Sequence, residues 1–552
     1  MRREHLTPWV CRFLAIVGLC LVAACGVSIR PSAVPEAVSH GDNLAEARQF
    51  AQQAANESRP KWSARAAVRC AAAAYRAADT DDWIDSHAAI ALSTTCTGKL
   101  LDILLHATSK RWTSTTMDIA GVPLTVEWRD MSPSLAGAVQ LIRADKVILP
   151  RSIGPRAAAP GYGIALVAMT ARCNDRPLCE LYPPEGVFRP ATAWVEADAD
   201  GRPRLVLSDP VAHPSVVIGS RSYPLSMDLT APYAMLIKSS RLNRLAVWNL
   251  LGGKQIGLRQ GLYLLQDYDP DKTPIVMVHG LGASPLIWGH LTNLILNAPD
   301  LRARYQIWHV VYQTNAPVLV DRLRVQQFMD KAWRLVDPDG KDPARHGMVL
   351  IGHSMGGVVA RLLVSNSHDV LWNAASTVPI NQIHGSADDQ ATIQSVFYFT
   401  PFPGVSKAIF LAAPHLGSPA SDDFIGRLAK WVVTPHAPEL DALRRFADTN
   451  SATIPHQLLA EYRKDGLSSI STLSTNQPVS HAAHALMPAS GIRYYTIVGS
   501  LPGASVPGDG VVPLSSAILP GAESTTIVTS GHKVYNNNEA LGQIIKILRE
   551  FP

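Results

Sequence analysis

Apolar positions along this chain change their spacing twice. From about residue 43 to residue 108 they recur at helical intervals in an Ala-rich setting and predict helices over 44–56, 61–78 and 83–92. Asp79-Thr80-Asp81-Asp82 separates the last two. From Trp112 to about Met235 short alternating runs take over, punctuated by Gly, Pro and Asp. They predict strands at 117–119, 124–128, 163–169, 193–196, 204–207 and 215–218, a small β-rich module. Beyond residue 240 nearly unbroken apolar runs at 275–278, 306–312, 348–351, 408–412, 494–498 and 525–528 alternate with helical stretches. That alternation predicts a mostly parallel sheet covered on both faces.

The span 418–488 is too long to be a connection alone, so it is expected to form a cap with helical pieces at 424–433 and 439–447. Leu428 and Trp431 there would line an acyl pocket or simply fill the cap core. The expected organisation is a signal peptide at 1–24, a flexible tether at 25–42, a helical segment at 43–110, a β-rich module at 111–240 and a larger α/β unit at 241–552.

The N-terminus adds an address. Arg2, Arg3 and Arg12 precede an apolar stretch, residues 13–24, too short to span a bilayer, and then Cys25. Val22-Ala23-Ala24-Cys25 resembles the bacterial lipobox, which implies a diacylglyceryl group on Cys25 and a membrane lipoprotein of the bacterial envelope, facing the periplasm or exterior. Of seven cysteines, Cys11 and Cys20 would leave with the signal, and Cys70, Cys96, Cys173 and Cys179 remain. An even remainder suits two disulfides in an oxidising compartment. Three pairings are open; proximity favours Cys70–Cys96 and Cys173–Cys179. No histidines cluster near these cysteines at ligand spacing, so neither metal nor cofactor is expected. A net charge of +5, with 17% charged residues and no long basic run, argues against a nucleic-acid partner.

The chemistry is concentrated in the last segment. Val349-Leu350-Ile351-Gly352-His353-Ser354-Met355-Gly356-Gly357 is a buried strand ending in Gly-x-Ser-x-Gly, followed at once by helix-forming residues. This is the pattern of a nucleophile elbow, a turn so tight that small residues must flank the serine. It would expose the Ser354 hydroxyl and set the Met355 N–H at a helix N-terminus. Upstream, a second strand ends in His279-Gly280-Leu281-Gly282, where the Leu281 N–H would be the second oxyanion donor. Serine needs a base, and His532 lies in the loop after the last predicted strand. The base needs an orienting acid, and Asp509 lies in the turn-rich loop Pro507-Gly508-Asp509-Gly510. The chain order Ser354, Asp509, His532 is the one this architecture uses.

These pieces, with Ala413-Pro414-His415-Leu416-Gly417-Ser418, resemble the α/β-hydrolase superfamily, specifically bacterial lipases and esterases, and are similar to GPI-inositol-deacylase-like hydrolases. The resemblance starts near Pro270 and leaves the N-terminal half unexplained. It implies an α/β-hydrolase fold with a helical cap, preceded by the Ala-rich helices and the β-rich module. It implies Ser354 as nucleophile, Asp509 as acid, His532 as base, and Leu281 and Met355 as oxyanion donors. Met355 stands where secreted triacylglycerol lipases often have Gln. The expected function is a lipid-anchored serine hydrolase of carboxylic esters, with ester or lipid as substrate. The alternatives are an acyltransferase using the same serine and a non-catalytic envelope lipoprotein with a hydrolase fold.

Overall fold

The computed structural model describes residues 43–107, 112–135, 139–240, 259–417, 438–463 and 477–550. The expected signal and tether, Cys25, and Leu428 and Trp431 of the cap lie outside the described residues.

Three helices come first, Asn43–Asn56, Pro60–Ala78 and Trp83–Ala107. The middle helix buries Ala64, Ala67, Ala71 and Ala74, short side chains that let its neighbours pack closely. A disulfide, Cys70–Cys96, joins it to the third helix. That helix continues to Ala107, well past the expected end at 92. Thr94, Thr95 and Gly98 weaken its local propensity. Burial of Thr97, Leu100 and Leu101 overrides it, and a Cβ on Gly98 would lie 3.2 Å from Ile164 Cδ1, so glycine permits the close seat. By length and composition this helix could cross a bilayer. It is instead a core helix, packed on the other two helices and on the sheet beneath them.

That sheet has six strands, in the order Thr116–Asp118, Pro123–Arg129, Pro203–Ser208, Val187–Ala197, Ile164–Thr170 and Gln140–Arg143. All neighbours are antiparallel except the second and third. Strand Val187–Ala197 begins well before the expected 193, because Pro190 breaks the sequence signal yet is accommodated opposite Val167. The second disulfide is Cys173–Cys179. Both pairings are those favoured by sequence proximity.

The C-terminal sheet holds β1 (Gly261–Leu264), β2 (Thr273–Val278), β3 (Tyr305–Val311), β4 (Met348–His353), β5 (Val405–Leu411), β6 (Arg493–Ser500) and β7 (Ser524–Thr529). Their order is β1-β3-β2-β4-β5-β6-β7, with β1 antiparallel and the rest parallel. Helices Gly289–Asn297 and Asn538–Arg549 cover one face. Helices Val318–Val336 and Met355–Leu363 cover the other, and the described cap helices Pro438–Thr449, His456–Arg463 and Pro478–His484 pack beyond them.

The β-rich module lies against the β1 end of this sheet. Arg189 donates to the Leu265 carbonyl (3.0 Å) and to Asp267 (2.7 Å), Asn293 donates to the Pro155 carbonyl (2.9 Å), and Thr230 donates to Asn293 (2.8 Å). These bonds satisfy polar groups that closure of the interface would otherwise strand.

Candidate active site

Ser354 joins β4 to helix Met355–Leu363 with φ +54° and ψ −128°, a conformation L residues avoid and one that costs about 1–3 kcal/mol. Neighbouring hydrogen bonds hold it there: its N–H donates to the Leu411 carbonyl (2.9 Å), and its carbonyl accepts the Gly357 N–H (2.8 Å). The flanking glycines are sterically required. A Cβ on Gly352 would lie 2.4 Å from the Gly356 carbonyl oxygen, one on Gly356 2.3 Å from that of Val278, and one on Gly357 2.5 Å from Ala413 Cβ. The elbow is a close contact of three backbones.

The three residues picked out from the sequence meet at this turn. His532, after β7, places Nε2 2.9 Å from Ser354 Oγ and Nδ1 2.8 Å from Asp509 Oδ2. Asp509, after β6, is nearly buried, and its Oδ1 accepts the N–H groups of Val511 (2.8 Å) and Val512 (2.7 Å). Burial pushes this carboxyl's pKa up, but His532 and the two N–H groups outweigh burial and hold it below the usual carboxylate range. Asp509 therefore presents a fixed anion to the imidazole. That anion orients Nε2 toward the serine and would stabilise an imidazolium.

A second histidine, His353, braces His532. Its Nε2–H donates to the His532 backbone carbonyl (2.9 Å), and its ring packs 4.9 Å from the His532 ring and edge-on to Tyr535. Burial, helped by His532, lowers its pKa to about 3, so it stays a neutral donor. The sequence pattern gives this position only as the variable residue before the serine.

The His279-Gly280-Leu281-Gly282 turn lies directly against the elbow: a Cβ on Gly280 would come 2.8 Å from Ser354 Cβ. His279 is fully buried, its pKa pushed down to about 4 by desolvation, and it stacks on Tyr312 at 4.7 Å. Two side chains beyond the end of β3 hold the turn on either side of Leu281. The Tyr312 hydroxyl donates to the His279 carbonyl (2.6 Å), and Thr314 Oγ1 accepts the Gly282 N–H (3.0 Å). Among the described residues the N–H groups of Leu281 and Met355 meet no acceptor. The Met355 N–H also opens a helix, whose dipole favours negative charge there. No motif marks Tyr312 or Thr314; their role shows only once β2 and β3 lie side by side.

Among the described residues, one group of Cys and Asp side chains is close enough to hold an ion, Cys173, Asp175 and Cys179, but its two sulfurs are bonded to each other.

No curated protein matches the chain. Among solved structures, a lipase of Bacillus licheniformis in mature form is similar at 16% identity and TM-score 0.28, over 52% of this chain and 97% of that one. An esterase of Pyrobaculum calidifontis is similar at 14% identity and TM-score 0.27, over 52% of this chain and 79% of that one. A thermostable carboxyl esterase of Bacillus coagulans is similar at 12% and 0.26, over 52% and 91%. Residues 275–536 match the model of the alpha/beta hydrolase family, and the strand order described above gives this part of the chain the alpha/beta hydrolase fold.

Proposed function

We propose that the protein is a serine hydrolase of carboxylic esters, attached to the bacterial envelope through lipid on Cys25. The observation that carries the enzymatic reading is the continuous path from Asp509 Oδ2 through His532 to Ser354 Oγ, with both links under 3 Å. His532 takes the proton from Ser354 as its oxygen attacks the ester carbonyl carbon. The carbonyl oxygen becomes an oxyanion and accepts the N–H groups of Leu281 and Met355. Collapse breaks the ester bond, and the departing alkoxide takes the proton from His532. A water then repeats the sequence on the acyl-enzyme and releases the acid.

A fluorophosphonate probe tests the reading directly. Wild type is expected to be labelled on Ser354 and to turn over a short p-nitrophenyl ester, and Ser354→Ala to do neither while keeping its melting temperature. Equal esterase activity in Ser354→Ala rules the mechanism out. The anchor is tested separately: wild type should partition into detergent and incorporate labelled fatty acid, and Cys25→Ser should do neither. An unlabelled wild type ends that part of the proposal.

A further inference from the structure

A cavity lies between the nucleophile helix and the described cap helices, and its lining is mixed in character. Val358, one turn beyond Ser354, Val318, Phe397 and Leu443 give it apolar walls. Arg361 and His415 also line it, with Gln477, Ser480 and His484.

Arg361 and His415 are both fully buried. Arg361 donates to four backbone carbonyls, through Nη1 to His484 (3.3 Å) and Leu486 (2.9 Å) and through Nη2 to His415 (3.4 Å) and Ala483 (3.0 Å). These carbonyls, three of them at or just beyond the end of helix Pro478–His484, orient the guanidinium and carry only partial negative charge. Nε is left without an acceptor, and so are both ring nitrogens of His415. Among the described residues no carboxylate pairs with Arg361. Glu461, bonded to the lining residue Gln477, accepts from that amide (3.0 Å). Burial lowers the arginine's pKa to about 10, which leaves it charged at neutral pH. Desolvation first, and then Arg361, hold His415 neutral, so one of its ring nitrogens carries a proton to donate.

The cavity thus holds one buried positive charge and two unused donors, with no anion among the described residues to meet them. An unpaired buried cation costs far more than a paired one. A carboxylate placed between Arg361 Nε and the His415 ring would satisfy both donors and the charge together.

We propose that this cavity is an anion-ended acyl subsite, and that the preferred esters are monoesters of medium-chain dicarboxylic acids, with the ester carbonyl at Ser354 and the free carboxylate at Arg361 and His415. The inference rests on the hydrolase reading above and names its substrate class. Seven residues of helix separate Ser354 from Arg361, about 10 Å at ~1.5 Å per residue, which suits a chain of roughly eight carbons.

The test compares two p-nitrophenyl esters of equal length, the octanoate and the suberate monoester. In wild type, kcat/KM for the suberate monoester should exceed that for the octanoate by about tenfold or more, as a charge-assisted bond at each of two donors requires. His415→Phe, which keeps a ring against Phe410, should reduce that ratio severalfold, and Arg361→Met should abolish or invert it. A second measurement does not need turnover: suberate, titrated calorimetrically into Ser354→Ala, should bind and octanoate should bind more weakly. Suberate binding in a protein that hydrolyses no ester would refute the reaction and leave the subsite standing. Octanoate-ester turnover without suberate preference or suberate binding would refute the subsite and leave the reaction standing.

Discussion

Replacing Thr314 with valine should damage catalysis without touching any of the reacting groups. Valine keeps the volume of threonine, and Thr314 is fully buried, so packing is preserved. What is lost is the acceptor for the Gly282 N–H at 3.0 Å, one residue from the proposed oxyanion donor of Leu281. Leaving a buried donor unsatisfied costs about 1–3 kcal/mol, and the turn can recover part of that by rotating away from the elbow. If most of the cost is spent in aligning the Leu281 N–H at the transition state, kcat falls by roughly 5- to 100-fold. Complete loss of one oxyanion donor, about 10²–10³-fold, sets the ceiling. KM should change little, because a ground-state ester makes only a weak bond at that position. Thr314→Ser retains the oxygen and should recover most of kcat. The assay is steady-state kinetics on a short ester, with melting temperatures measured in parallel. The reasoning fails if Thr314→Val keeps kcat within twofold, or if Thr314→Ser loses as much as the valine variant.

Other consequences follow from buried charge and cross-links. Asp509→Asn should lower kcat by about 10⁴-fold, because the amide permits the wrong imidazole tautomer. The Asp509 pKa is depressed in the fold, so its carboxylate contributes stability above the unfolded value near 4 that is lost as pH falls through the folded value; urea melts should show the gap between wild type and Asp509→Asn closing in acid. Asp321 has the opposite sign: it is fully buried, neither oxygen has a partner, and desolvation raises its pKa well above the usual range despite Arg324. The folded state therefore holds that proton more tightly than the unfolded chain, and stability falls as pH rises past about 4, so Asp321→Asn should stabilise at pH 7 by at least about 1 kcal/mol and not at all at pH 3. Reducing Cys70–Cys96, which closes a 26-residue separation, should cost the N-terminal helices about 3 kcal/mol, seen as an early transition in a reductant-containing thermal melt while ester turnover persists.

What the sequence disclosed about this site was what local backbone geometry demands. The elbow is legible because three backbones meet at Gly352, Gly356 and Gly357, and no residue with a side chain fits there. Asp509 and His532 were found by position, since each follows a strand whose apolar run could be read. The expected strands of the C-terminal sheet begin within three residues of the observed ones, and for the five inner parallel strands the reason is that burial on both faces leaves nearly continuous apolar runs. The edge strand β1 also carries an apolar run, Leu262 to Leu265, but was not anticipated. Tyr312, Thr314 and His353 were invisible because they act across space, each bonding to the backbone of a segment 30 or more residues away. Arg361 and His415 lay within recognisable motifs, but their isolation from any anion is a property of burial that spacing does not encode.

The β-rich module packs at one edge of the C-terminal sheet. Its hydrogen bonds to the hydrolase-fold part fall on Arg259, Leu265, Asp267, Asn293, Asn297 and Lys331, beside β1 and on the helices after β2 and β3. The short antiparallel β1 would otherwise be the sheet's open edge, a template for unwanted strand pairing. Covering it leaves the opposite edge, β7, with Ile527 half exposed, next to the loop that carries His532. The cap helices instead rise between β5 and β6, and their described residues Leu443, Tyr462 and Val479 share a cavity with Val358 of the nucleophile helix. On the proposed reading, selectivity for the acyl group would belong to the cap and the module's contribution would be to the sheet's integrity. Swapping cap residues such as Leu443 should change which esters are cleaved. Breaking Arg189–Asp267, a pair of which the arginine is almost wholly buried, should lower the melting temperature and leave the ratio of kcat/KM between two esters unmoved. A shift in that ratio on Arg189→Met would show that the module reaches the substrate after all.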